Sequence, residues 1–209
     1  RGELSRQRAW VSGDSWVDME RIARNDDGLP VETVDARGGR SILVYDSTHR
    51  HLVREVRRQS GEDRWLSWQA DWDAAWGTLT RIVEPFGGET HYSYDGLGRL
   101  IAEVLPGDSA ELPTRAYAYT LGAPTSFIRT ETRVNSGEGL VDVAYAYFDG
   151  TGRELGVWVG RPGEQWEASG RRRFGARGLP AVEAHEAFFG SGDRSEEHTS
   201  ELQSLLIIS

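Results

Sequence analysis

The chain has no cysteine and only one methionine among its 209 residues. Without thiols it forms neither disulfides nor thiolate metal centres. That absence excludes chemistry and does not fix a compartment. Lysine is missing too: all 24 cationic side chains are arginine. Positive charge is outweighed by 33 Asp and Glu, giving a net charge of −9. Such a balance argues against a general phosphate-binding surface and against nucleic acid as a partner. No apolar run approaches the roughly 20 residues that cross a bilayer as a helix, so no direct membrane span is expected. No signal peptide is read either. The chain begins at Arg1 without methionine, and the true amino terminus is expected to lie upstream.

What is present is ring and turn. There are eight Trp, seven Tyr, six Phe and 25 Gly, the composition of many short strands joined by tight turns. The central stretch is Tyr92-Ser93-Tyr94-Asp95-Gly96-Leu97-Gly98-Arg99-Leu100. Tyr92 and Tyr94, two apart, share one face of a strand. Asp95 closes an Asx-turn, and Gly96 and Gly98 are expected to supply positive φ. The same grammar returns at Tyr145-Ala146-Tyr147-Phe148-Asp149-Gly150-Thr151-Gly152-Arg153-Glu154-Leu155. There it matches in both the aromatic pair and the Asp-Gly-x-Gly-Arg turn.

Worn copies of the unit fill the rest. Residues 9–19 form a hairpin about Ser12-Gly13-Asp14. Asn25 to Pro30 carries the turn without its aromatic. Tyr45-Asp46 ends a strand, with Ser47 to Arg50 in place of the glycine turn. Trp72-Asp73 precedes Gly77 with one residue inserted. Tyr117-Ala118-Tyr119 lacks the Asp-Gly, and Phe174 leads into Gly178-Leu179-Pro180. Trp65, Trp68, Trp72 and Trp76 have helical spacing, yet Leu66, Trp68, Ala70 and Trp72 alternate at period two. A strand is favoured there because both neighbours are strands. The anchors Tyr45, Trp72, Tyr94, Tyr119, Phe148 and Phe174 recur at roughly 22–29 residues, the period of stacked supersecondary units.

The Tyr-Asp-x-x-Gly-Arg-Leu grammar, complete at Tyr94 to Leu100 and nearly so at Phe148 to Leu155, resembles the YD repeats of the Rhs family. Its degenerate, aromatic-rich style is most similar to the shell-forming B and C components of bacterial insecticidal toxin complexes and to SpvB-like proteins. The resemblance spans roughly residues 20–190. It implies an all-β fold, an antiparallel meander of hairpins forming part of a large curved β-shell. It also implies a secreted or cell-surface location and a shell around a toxic C-terminal polypeptide. The partners it implies are the rest of that shell, the enclosed toxin and other toxin-complex subunits. Three segments are expected: an incomplete upstream hairpin over 1–20, the repeat sheet over 21–193, and residues 194–209. In the last, Arg194 to Ser204 reads as the translation of a sequencing-library adapter and not as a domain.

The residues expected to matter are those of the repeat: Tyr45, Asp46, Trp72, Asp73, Gly77, Tyr92, Tyr94, Asp95, Gly96, Gly98, Arg99, Phe148, Asp149, Gly150, Gly152, Arg153, Phe174 and Gly178. No catalytic, cofactor or metal site is expected, and the chain is read as a non-enzymatic structural piece. His49 and His51 would share a strand face as a metal pair, but a third ligand is lacking and the site is read as a turn. Asp95 and Asp149 would serve as an acid–base pair, but the turns explain both. Gly96-x-Gly98-Arg99 lacks the third glycine and the helix of a phosphate loop. The alternative function is adhesion or carbohydrate binding, with the Trp65 to Trp76 cluster as the stacking surface.

Overall fold

The computed structural model describes residues 4–122, 125–139, 141–161, 165–184 and 187–189. The segment 194–209 lies outside them. Among the described residues there are strands and turns and no helix. The chain divides into two compact units, Arg1–Gly98 and Arg99–Ser209. The boundary expected at residue 20 falls inside a strand, Ser15–Arg24.

The first unit is an antiparallel meander. Its strands are β1 (Arg6–Ser12), β2 (Ser15–Arg24), β3 (Pro30–Asp35), β4 (Arg40–Tyr45), β5 (Val53–Gln59), β6 (Trp65–Asp73), β7 (Thr78–Val83) and β8 (Glu89–Tyr94). Each pairs with the next in sequence. Alternation divides the side chains between two faces. One face carries Leu43, Val56, Trp68, Ala70 and Ile82, aligned by the pairs Leu43↔Val56, Val56↔Trp68 and Ala70↔Ile82. The other carries Glu55↔Gln69, Asp71↔Arg81 and Arg81↔His91, where cross-strand ion pairs such as Arg81 Nη1 to Asp71 at 3.2 Å form. Trp65 to Asp73 is a strand because β5 and β7 take up its backbone groups on both sides. That strand separates the tryptophans. Trp68 and Trp72 fall on the apolar face by alternation, and Trp65 falls on the charged face with Arg40 5.8 Å from its ring centre. Trp76 sits in the following turn, 56% exposed.

The second unit contains β9 (Leu100–Val104), β10 (Arg115–Thr120), β11 (Ser126–Arg133), β12 (Val141–Phe148), β13 (Glu154–Arg161), β14 (Gln165–Ser169), β15 (Arg171–Phe174), β16 (Pro180–Ala184) and β17 (Ala187–Phe189). The order is β9-β10-β11-β12-β13-β14-β17, and β15 and β16 form a separate hairpin. On one face Phe127, Tyr145, Tyr147, Trp158 and Trp166 make a ring network with centroids 5.0–6.4 Å apart. Among the described residues Ala168 is the only buried hydrophobic side chain, and no large side chain is fully buried. Each unit is thus organised by pairing along a sheet and not by a second layer packed over it.

Candidate functional site

The repeat corner is the feature the sequence specifies most completely. At Asp149 the turn closes through four backbone-directed bonds. Gly152 N–H donates to the Asp149 carbonyl at 3.0 Å, and Asp149 N–H donates to the Arg153 carbonyl at 3.0 Å. The side-chain Oδ1 then accepts from the N–H groups of Thr151 at 2.9 Å and Arg153 at 3.0 Å. Asn25 repeats this with its amide oxygen, accepting from Asp27 and Leu29. Asp46 accepts from Thr48, His49 and Leu52, Asp73 from Ala75, and Asp95 from Leu97 at 2.9 Å. At Asp46 and Asp149 such donors favour the charged carboxylate. They hold Asp46 down at about 2, with the His49 N–H as the largest cause. Asp149 is also lowered, its backbone and side-chain donors overcoming the opposing effect of burial.

One glycine per corner takes the left-handed conformation: Gly98 at φ 75° and Gly152 at φ 81°. The earlier glycines, Gly96 and Gly150, do not, which corrects the expectation that Gly96 needed positive φ. At the Asp46 corner Arg50 occupies the left-handed region at φ 64°, the lone non-glycine to do so among the described residues. Gly77 and Gly178, at φ 64° and 75°, complete their own turns.

Tyr45, Trp72 and Tyr94 precede their Asp and Tyr119 precedes Thr120, and each, at or one residue before its strand's end, reaches its polar tip back across the hairpin it has just closed. Tyr45 Oη donates to the Pro30 carbonyl at 2.8 Å. Trp72 Nε1 donates to Val53 at 2.8 Å, Tyr94 Oη to Leu79 at 2.7 Å, and Tyr119 Oη to Leu100 at 2.8 Å. The register is the same in each case. The accepting residue is the first of its strand, or the second at Leu79, one position diagonal to the aromatic, as the pairs Val53↔Asp71 and Leu79↔Ser93 follow from Glu55↔Gln69 and Arg81↔His91. The ring therefore ties the exit of one corner to the entry of the next. Burial raises the Tyr45 and Tyr94 phenols, which keeps them protonated and able to donate. A register shift accompanies the anchor at Tyr45, Trp72, Phe148 and Phe174, a bulge that turns the strand into its corner.

Sequence reasoning missed a fifth member. Arg24 precedes Asn25, and its guanidinium donates to the Leu4 carbonyl at 3.2 Å and to its own corner at Gly28 at 2.8 Å. The Asn25 unit therefore has an arginine where the others have a ring. Aligning the positions before each Asx, instead of searching for aromatics, would have found it. The arginine of the Gly-Arg step also has a partner in the next unit. Arg99 lies 4.6 Å from the Tyr119 ring centre and Arg153 lies 4.3 Å from that of Phe174, both within cation–π range. Arg153 also pairs with Asp149 at 2.7 Å.

One further expectation is corrected. Tyr145 and Tyr147 are not the counterparts of Tyr92 and Tyr94. They alternate with Phe148 along β12 and so occupy the opposite face, within the ring network. His49 and His51 both lie in the Asp46 turn, their rings 6.2 Å apart and edge-on, and among the described residues no cluster of three metal-ligating side chains occurs. Asp95 and Asp149 each accept from their own turns, so the turn accounts for either carboxylate by itself.

The family model for the RHS repeat matches residues 72–110, the Trp72 and Tyr94 corners and the strand beyond. No curated protein sequence matches the chain. Among solved structures it is similar to the TcdB2–TccC3 crystal structure, at TM-score 0.63 and 16% identity over 88% of this chain and 12% of that one. It is similar to TcdB2–TccC3 without the hypervariable C-terminal region, at TM-score 0.64 and 14% identity over 90% of this chain and 15% of that one. The Photorhabdus luminescens Tc holotoxin pore gives TM-score 0.63 and 13% identity over 93% and 15%. At such identities the likeness is one of fold, and the chain spans only 12% to 15% of the length of those chains. The chain thus carries an RHS repeat over residues 72–110 and shares its antiparallel β fold with those toxin-complex structures.

Proposed function

We propose that this chain is a non-catalytic wall segment of a secreted Rhs/YD-repeat toxin-type protein, part of a β-shell that encloses a toxic polypeptide. The observation that carries the reading is a sheet whose strands are stapled corner to corner while almost nothing is buried on either face. A wall needs continuity along the sheet, and its faces meet contents and surroundings instead of a private core. The solved structures of similar fold are toxin-complex components, which supports the same assignment; on this reading the partners are the rest of the shell, its cargo and other complex subunits. The repeat residues act as turn formers and staples, since every corner carboxylate described above is engaged by its own turn.

The test is protease protection of the full-length gene product. A C-terminal cargo region should resist digestion until the repeat region is denatured. A cargo cleaved as fast in the native protein as after denaturation would refute enclosure. The adhesion alternative loses its original basis, because Trp65, Trp68 and Trp76 do not share one surface.

A further inference from the structure

We propose that the charged face of β1 to β4 binds an acidic oligosaccharide. Arg6, Arg8 and Arg21 converge on the single carboxylate of Asp18 at 2.6, 3.4 and 4.0 Å. Arg40 pairs with Glu32 at 2.6 Å. On the strands themselves, four guanidiniums thus face two carboxylates, a local cationic surplus in a chain of net charge −9. Nearby turns add Asp14 at the β1–β2 tip, Asp26 in the β2–β3 turn, the Asp27–Arg50 ion pair at 2.7 Å and the Asp35–Arg37 pair, so the surplus belongs to the strand face itself and not to its rim. Each guanidinium has five donors, and one shared carboxylate leaves most of them directed to solvent. Arg21, 60% exposed, also lines a concavity of about 490 Å³ with Ala23, Glu32, Val34 and Arg40.

Exposed aromatics lie on the same face. Trp10 and Trp16 are directly paired across β1 and β2 and are 60% and 55% exposed. Alternation places Trp10 with Arg6 and Arg8, and Trp16 with Asp18. Trp65 lies near Arg40. Indole faces suit the C–H faces of pyranose rings, and arginine forks suit carboxylates. A sugar acid offers both groups within one residue. Nucleic acid fits less well, because a long phosphate backbone needs an extended positive track and this surplus is confined to one end of the first unit. The proposal rests on surface chemistry alone and is independent of the shell reading.

The experiment titrates the full chain with tetragalacturonate, following tryptophan fluorescence and heat. Galactotetraose, a glutamate tetrapeptide and an oligothymidylate are run in parallel. Saturable binding of tetragalacturonate alone is expected, weakened about tenfold by Arg21→Gln and by Trp16→Ala, with Arg8→Gln as a second charge variant. These side chains are exposed, and unchanged far-ultraviolet circular dichroism would confirm that the variants fold. Absence of saturable binding would overturn the proposal. So would equal affinity for the neutral sugar, tighter binding of the peptide or oligothymidylate, or variants that bind like the parent.

Discussion

Tyr94 holds one proton that decides whether a strand end is sealed. Tyr94→Phe keeps the ring and its packing and removes only the donor to the Leu79 carbonyl. The expected cost is about 1 kcal/mol, read as a lower urea midpoint with an unchanged slope. The two glycines of the same corner should behave in opposite ways. At Gly98, with φ 75°, an added Cβ would lie 3.1 Å from Trp76 Cε3, so Gly98→Ala meets both backbone strain and a clash. It is expected to cost about 1–2 kcal/mol or more. At Gly96 nothing lies within 4 Å and φ is ordinary. Gly96→Ala should fall within about 0.5 kcal/mol of the parent in the same denaturation experiment. The motif as written gives these glycines equal weight. Only backbone angles separate the one that needs its missing side chain from the one that does not.

At the scale of the hairpin, the strands were legible because alternation and turn residues agree. Trp65–Asp73 is the strand expected there, and the corners fall at the expected acids. What was not legible is register. One extra residue on the strand that leaves a corner shifts its pairing. Tyr145 and Tyr147 resembled the ring pair of the central unit, yet alternation along β12 sets them on the opposite face from Phe148. Arg24 escaped notice for a different reason: a long cation and a phenol look unlike as letters but offer the same donor at the same reach. The corners also set a response to acid. Asp46 sits at about 2 against an ordinary 3.8. A carboxyl lowered by folding stabilises the native state above the unfolded value, and that contribution is lost as pH falls toward the folded one. The sheet should therefore persist at pH 4 and weaken between about pH 4 and pH 2, followed by circular dichroism. Asp46→Asn should flatten part of that decline. A loss of structure centred near pH 6 would contradict it.

For the molecule as a whole, the scarcity of buried side chains is the governing fact. Trp10, Val11, Trp16, Val17 and Met19 are all at least 44% exposed along β1 and β2, and among the described residues β1 pairs only with β2. An open edge beside apolar surface invites further pairing. The isolated chain is expected to self-associate at micromolar concentration, seen by sedimentation velocity. A sharp, two-state melt of a monomer would count against that expectation and against the wall-segment reading. The fold class and the antiparallel meander could be read from the repeat, because the same corner is spelled several times over. The charged face of β1 to β4 could not, since its arginines become neighbours only once the strands pair.

The staples have a direction. Each ring bonds to a strand that was synthesised 15 to 19 residues before it, and no staple waits for sequence still to come. A polypeptide emerging amino end first from a ribosome or a secretion channel could fasten itself stepwise, each closure complete before the next segment arrives. Such growth resembles a zipper drawn one way.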